Sequence, residues 1–162
     1  MAEPYRRLVI VRHAKSGWPD GVPDEDRPLA ERGRLDAPAV GRWLRDQVDR
    51  VDLVLCSPAR RARQTWQLIE AELPAPPPAR SDERLYGAGT DHLLAIIHAL
   101  PAEAGTALIV GHNPGLQDLV LLLGGEPVEM NTAAVAVLGW PGAWADAGPR
   151  AATLEARAKP RG

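Results

Sequence analysis

The chain has 162 residues, 45% of them hydrophobic and 25% charged, which is the composition of an ordinary globular protein. Its formal net charge of −2 argues against a general binder of nucleic acid or of membrane surfaces, because no overall positive field would attract phosphate groups. The single cysteine excludes an intramolecular disulfide and favours a reducing, cytoplasmic compartment, and no apolar stretch approaches the roughly 20 residues of a membrane helix.

The first half of the chain alternates between strand and helix patterns. A β-rich run at residues 7–11 predicts the first strand, which is followed by a loop rich in Gly, Pro and Asp. Helical periodicity over residues 35–48 comes next, and Pro38 is expected to kink or divide that helix. A second strand is predicted at residues 51–56, followed by a helix for which Ser57 is the expected N-cap.

The second half continues the same alternation. A weak strand is predicted at residues 79–82, and Thr90 is a suitable cap for the helix that follows. After an aliphatic strand at residues 107–110, Asn113 is the expected N-cap of a very apolar helix that begins at Pro114. Two further strands are predicted, at residues 133–138 and 151–156.

This alternation predicts the fold class. Strands that alternate with helices form βαβ units, whose strands are parallel and whose helices cover both faces of the sheet. We therefore expect an α/β protein, a three-layer αβα sandwich with a mostly parallel central sheet. The length suits one domain, which we expect to span residues 1–162.

Unusual polar residues follow three of the predicted strands. Arg12 and His13 end the first, Arg61 lies just inside the helix after the second, and His112 and Asn113 follow the strand at residues 107–110. The carboxyl ends of parallel strands lie along one edge of a sheet, where ligands bind, so these side chains are expected to meet. Two helix N-termini open at the same edge and favour an anion.

Such a set of side chains suits phosphoryl chemistry. Guanidinium groups match phosphate oxygens in geometry and charge, and a neutral imidazole is a good nucleophile toward phosphorus. Phosphoryl transfer needs mainly positioning and stabilisation of charge on the oxygens, which arginines supply. A metal held by His13 and His112 is disfavoured, because the adjacent arginines repel a cation and no Asp or Glu has obvious ligand spacing.

Three segments carry a family resemblance: R-H-A-K-S, S-P-A-R-R-A-R-Q-T and V-G-H-N-P-G, with R-P-L-A-E-R-G between the first two. Together they resemble the histidine phosphatase, or phosphoglycerate mutase-like, superfamily. Within it the short chain is most similar to SixA-type phosphohistidine phosphatases. The resemblance covers residues 7 to 140 and implies an enzyme that needs no metal or other cofactor.

The resemblance also implies roles for individual residues. His13 would be the nucleophile that forms a transient phosphohistidine. Arg12 and Arg61 would bind the phosphoryl oxygens, and Arg61 is the arginine of the S-x-x-x-R-A pattern. His112 would donate a hydrogen bond to the phosphoryl group, aided by the backbone N–H of Asn113.

A fifth catalytic candidate is an acid. Many family members carry a glutamate just before a Tyr-Gly pair, and in D-E-R-L-Y-G that position is Glu83. SixA-like members do not all depend on such an acid. The mutase branch of the family usually has a glycine and an asparagine where this chain has Ala14 and Pro19. These two departures argue against the mutase branch.

These features predict a phosphatase that works through a phosphohistidine intermediate. The favoured substrate is phosphohistidine on a protein, such as a histidine phosphotransfer domain, since the chain lacks the long insertions that other members fold over small substrates. Two alternatives stay open: a phosphatase of small phosphorylated metabolites, and a non-catalytic module that only reads phosphate.

Other chemistry-bearing residues receive simpler interpretations. A C-x5-R phosphatase loop at Cys56 would require arginine where Ala62 stands, so Cys56 is expected to be a small buried residue. His92 and His98 are six residues apart and do not share a helix face as an i,i+4 metal pair would. In the loop after the first strand, Trp18 is the tryptophan that is placed to touch a substrate.

Overall fold

The computed structural model describes residues 4–161, and in that range the chain forms six strands and four α-helices. The strands are β1 (Tyr5–Arg12), β2 (Leu53–Cys56), β3 (Ala79–Ser81), β4 (Thr106–Gly111), β5 (Val135–Pro141) and β6 (Thr153–Ala158). The helices are α1 (Glu31–Gln47), α2 (Arg60–Glu70), α3 (Thr90–His98) and α4 (Gly115–Gly124).

All six strands belong to one sheet with the order β3-β2-β4-β1-β5-β6. The strands from β3 to β1 pair in parallel, whereas β5 is antiparallel to both of its neighbours, β1 and β6. The sheet is therefore mostly parallel, as predicted. None of the helices within residues 4–161 combines the length and the apolar character needed to cross a membrane.

Each face of the sheet carries its own apolar core. Alternate residues of β1 point to opposite faces, so that Leu8 and Ile10 join one core while Val9 and Val11 join the other. The first core is completed by α3 and α4, and the second by α1 and α2. Burial on both faces explains why β1 and β4 are continuous aliphatic runs rather than alternating ones. The αβα sandwich is confirmed.

Several local predictions about helices differ from the structure. Gly89 rather than Thr90 is the N-cap of α3, and Pro114 rather than Asn113 is the N-cap of α4. Helix α1 is one continuous helix through Pro38, because burial of its inner face against the sheet and α2 outweighs the loss of one backbone hydrogen bond. Ser57 does not cap α2, which begins after Ala59; the Ser57 hydroxyl instead accepts from the Ala59 N–H at 3.3 Å. The Ser57 side chain is therefore available to contact other side chains at the edge of the sheet.

The register of the central strands brings the polar strand ends level with one another. Arg12 of β1 pairs with Gly111 of β4, so His13 and His112 each follow the last residue of adjacent parallel strands. On the other side of β4, Cys56 of β2 pairs with Val110. The three polar segments that are distant in sequence thus meet at one edge.

Candidate active site

A cleft of about 230 Å³ opens at this edge of the sheet. Its walls contain both predicted histidines and both predicted arginines. Its lining residues are Arg12, His13, Lys15, Ser16, Trp18, Arg27, Arg61, His112, Asn113 and Thr132. The volume is small for a drug-sized ligand, whose pockets usually exceed about 300 Å³, and suits a group such as phosphate.

His13 is held so that one ring nitrogen stays free to react. Its Nδ1 lies 2.8 Å from the carbonyl oxygen of Ala14, and because a carbonyl only accepts, Nδ1 carries the proton and Nε2 carries the lone pair. The Ala14 N–H in turn donates to Thr65 Oγ1 at 2.9 Å, and the Thr65 hydroxyl donates to the carbonyl of Arg61 at 2.7 Å. The loop that carries His13 is thereby tied to the helix that carries Arg61.

Burial keeps His13 neutral. The side chain is buried, and desolvation, reinforced by the nearby His112 and arginines, lowers the pKa of His13 to about 3. The ring is therefore unprotonated at neutral pH, which is the form that can attack phosphorus.

His112 lies beside His13, with 5.1 Å between the two ring centroids. Its Nε2 is 2.7 Å from Ser57 Oγ, which is fully buried. When the Ser57 hydroxyl donates to this nitrogen, the ring proton of neutral His112 lies on Nδ1. Burial and the charge of Arg61 lower the pKa of His112 to about 4.

Two buried nitrogen atoms of cleft-lining residues have no hydrogen-bond partner among residues 4–161. They are Nδ1 of His112 and Nε of Arg12. Arg12 is otherwise anchored by donating from Nη1 to the carbonyl of Met130 at 3.2 Å, and burial together with Arg61 lowers the pKa of Arg12. Unsatisfied buried donors are costly, so an oxyanion that accepts from both would be bound favourably.

Arg61 is fixed by an acidic loop residue that sequence analysis did not single out. Its two terminal nitrogens donate to the backbone and side-chain oxygens of Asp24, at 2.7 and 3.1 Å. The Asp24 carboxylate also accepts from Tyr86 and Arg27. These donors, the Tyr86 hydroxyl first among them, hold the pKa of Asp24 well below its usual range. Asp24 was one of several acidic residues in its loop, and nothing in the sequence distinguished it.

Asn113 and Glu83 have different positions relative to the cleft. Asn113 lines it, and its side chain links the loop before β5 to α4 by donating to the carbonyl of Met130 at 2.6 Å and accepting from the Gln117 N–H at 3.2 Å. Glu83 is exposed and does not line the cleft. Instead Tyr86, three residues later, packs its ring edgewise against His112 with 5.6 Å between centroids. The acid role of Glu83 therefore has no support in this geometry.

The remaining candidates lie outside the cleft. His92 is exposed on α3, and His98 Nε2 contacts the carbonyl of Ala147 at 2.7 Å. Cys56 is a buried free thiol, and burial raises its pKa to about 12. In the part of the chain that the structure describes, no group of three or more His, Cys, Asp or Glu side chains is arranged to hold a metal ion.

Comparisons with known proteins show which family this chain is similar to. Residues 8–92 match the family model of the histidine phosphatase superfamily (branch 1). An uncharacterized protein of Mycobacterium tuberculosis is 42% identical over 155 residues, which cover 89% of this chain and 96% of that protein.

Two solved structures are similar over nearly the whole chain. One, assigned as a phosphohistidine phosphatase SixA from Nakamurella multipartitia, is 36% identical with a TM-score of 0.84 and covers 98% of both chains. The other, the protein histidine phosphatase SixA complexed with tungstate, is 26% identical with a TM-score of 0.83 and covers 95% of this chain and 97% of that one.

Proposed function

The chain belongs to the histidine phosphatase superfamily and is of the SixA type, and on that premise we propose that this phosphatase removes the phosphoryl group from phosphohistidine on a protein. The observation that carries the proposal is the cleft that brings Arg12, Arg61 and His112 together beside His13, whose Nε2 carries the lone pair. Cationic and imidazole donors next to a neutral imidazole are what phosphoryl transfer to that imidazole requires.

In the first step, His13 Nε2 attacks the phosphorus atom. A P–N bond to His13 forms while the P–N bond to the substrate imidazole breaks, and the substrate ring, which has taken a proton from solvent on its other nitrogen, leaves as neutral imidazole. One P–N bond replaces another, so the step is close to balanced in energy. Arg12, Arg61 and His112 donate to the phosphoryl oxygens, where negative charge is concentrated.

In the second step, water attacks the same phosphorus atom. The P–N bond to His13 breaks, inorganic phosphate leaves, the proton lost by the water passes to solvent, and His13 returns to its neutral form with the proton on Nδ1. A leaving imidazole needs less help from an acid than an alkoxide does, because its basicity is far lower. This fits a site in which the Asp24 carboxylate, which contacts Arg61, is bound to arginines rather than free to donate a proton.

The residue roles, the independence from metal and the cytoplasmic location are parts of this proposal. Ser57 joins the set as a positioning residue, since its hydroxyl directs the proton of His112 toward the phosphoryl group. The open rim of the cleft supports a phosphate presented by another protein. A phosphatase of small phosphorylated metabolites remains the second candidate, because the same donors bind any phosphoryl group.

Trapping the covalent intermediate tests the proposal. After brief incubation with a phosphohistidine-bearing phosphotransfer domain carrying labelled phosphate, the wild-type chain should hold acid-labile label, and His13→Ala should hold none and lose turnover by at least about 10³-fold. His92→Ala, which removes an exposed histidine on α3, is the matched control and should behave as wild type.

Two other results would decide against parts of the mechanism. Turnover by His13→Ala at the wild-type rate would exclude His13 as the nucleophile. If the wild-type chain ignored phosphohistidine but hydrolysed sugar or nucleotide phosphates, the metabolite phosphatase would replace the proposed function.

A further inference from the structure

The loop between β1 and α1 carries an exposed aromatic ring at the mouth of the cleft. Trp18 is 74% exposed, yet it lines the same cleft as His13. Large apolar side chains with this exposure are uncommon in the described part of the chain, where the next most exposed is Leu35 at 53%. An exposed tryptophan beside a reactive group suggests contact with a ligand.

The inner face of the indole is fixed by a buried guanidinium. The Cζ atom of Arg27 lies 3.2 Å from the centroid of the Trp18 ring, a stacked cation–π contact. Arg27 is itself immobilised by three hydrogen bonds, from Nε to the carbonyl of Gly17 at 3.0 Å, from Nη1 to Asp24 at 2.9 Å and from Nη2 to Ser16 Oγ at 2.5 Å. Arg27 therefore covers one face of the Trp18 ring from a fixed position, and the high exposure of Trp18 leaves its other face accessible.

The position of the Trp18 ring relates it to the leaving group of the reaction. When His13 attacks phosphorus, the leaving group lies on the opposite side of the phosphorus atom, away from the buried nucleophile and toward the mouth. Arg12, Arg61 and His112 account for the phosphoryl oxygens in the proposed mechanism, whereas none of them provides an apolar surface for the group that departs. Trp18 provides that surface.

We propose that the open face of Trp18 stacks on the imidazole ring of the substrate phosphohistidine and so selects phosphoryl groups carried on a flat aromatic ring. This rests on the proposed function and deepens it. Stacking of two planar rings contributes about 0.5–1.5 kcal/mol beyond area burial, which corresponds to about a three- to tenfold effect on kcat/KM.

The test compares substrates with and without a ring on the group that leaves. Free phosphohistidine and phenyl phosphate carry a ring, and phosphoramidate and ethyl phosphate are their ring-free counterparts. Trp18→Leu should lower kcat/KM about three- to tenfold for the first two and less than twofold for the others. Trp18→Phe, which keeps a planar ring, should recover most of the loss.

The alternatives give different patterns. An equal loss on all four substrates would show that Trp18 only supports Arg27 and would overturn the proposal. A loss confined to a phosphorylated protein, with free phosphohistidine unaffected, would overturn it too, since Trp18 would then contact the protein surface. If the wild-type chain hydrolysed phenyl phosphate but not phosphohistidine, the proposed function would fail, and imidazole could not be the stacking partner. If the ratio of kcat/KM for phenyl phosphate to that for ethyl phosphate were the same in Trp18→Leu as in the wild type, only the stacking would be rejected.

Discussion

His13 and His112 are both buried in a cleft lined by arginines, and both are held neutral by that surrounding. Neutrality serves the proposed chemistry at His13, where a lone pair is needed, and at His112 the ring is held by a hydrogen bond between Nε2 and Ser57 Oγ. The same burial has a cost, because each ring would gain a proton more readily in the unfolded chain.

That cost predicts a pH dependence of stability. The folded pKa values of about 3 and about 4 lie below the unfolded value of about 6.5. Between these limits the unfolded state binds more protons, so the free energy of unfolding falls as pH is lowered, by up to about 1.4 kcal/mol per pH unit for each histidine. Urea unfolding from pH 7 to pH 4 measures it.

Variants distinguish the contribution of the two histidines to this pH dependence from that of the other titrating groups. His13→Asn and His112→Asn should each flatten this slope, whereas His92→Asn, which alters an exposed ring, should leave it as in the wild type. A slope that is the same in all four proteins would mean that carboxylates alone cause the acid sensitivity.

Helix α1 is the element that fixes the loop after His13. The Ala30 N–H, just before the helix, donates to the carbonyl of Lys15 at 2.8 Å, and Ser16 forms a bridge with Leu29. Gly33 lets the helix approach this loop, because a Cβ at that position would clash with the Lys15 carbonyl oxygen. The segment R-P-L-A-E-R-G thus holds the loop in place through its backbone as well as through Arg27.

Gly33→Ala should therefore damage the site although alanine favours helix. We expect a loss of about 1–3 kcal/mol in the free energy of unfolding and at least a tenfold fall in kcat/KM, because the Lys15 backbone must move. The control is Gly124→Ala at the end of α4, where a Cβ first meets a Leu138 methyl group at 3.5 Å. Since alanine has the higher helix propensity, this control should be neutral or slightly more stable. Wild-type activity in Gly33→Ala would show that the loop tolerates displacement.

Much of this arrangement is predictable from sequence at the level of elements. Continuous aliphatic runs such as β1 and β4 fix the parallel sheet, and the polar residues after them fix where Arg12, His13 and His112 lie. Hydrogen bonds that depend on exact loop geometry are not predictable in this way. Asp24 is paired with Arg61 because a surface loop folds back, and Ser57 has the composition of an N-cap but contacts His112.

At the scale of the whole molecule, a chain with net charge −2 attracts phosphate only through a local concentration of cations. Three different parts of the chain contribute Arg12, Arg27 and Arg61, and these cations lie close together only in the folded state. An anion that binds there binds the folded state and not the unfolded one, so it stabilises the fold.

Inorganic phosphate, the reaction product, should therefore raise the melting temperature. At 100 times its Kd it contributes about 2.7 kcal/mol, which for a chain of this size corresponds to about 5–10 °C. Arg61→Ala should abolish the shift, and Arg63→Ala, two residues along the same helix and outside the cleft, should retain it. Thermal scans with and without phosphate give the shift for each variant; equal shifts in both variants would place phosphate elsewhere.

The pairing of β1 with β4 and β5 has a consequence for how the enzyme becomes active. The strand that carries Arg12 is made before its partners, residues 106–111 and 135–141, so its pairing in the sheet is completed only after these later segments have been synthesised. Such contacts between distant segments form slowly, since long loops must close before they can form. Activity is therefore expected late in folding, only after the sheet has assembled around β1.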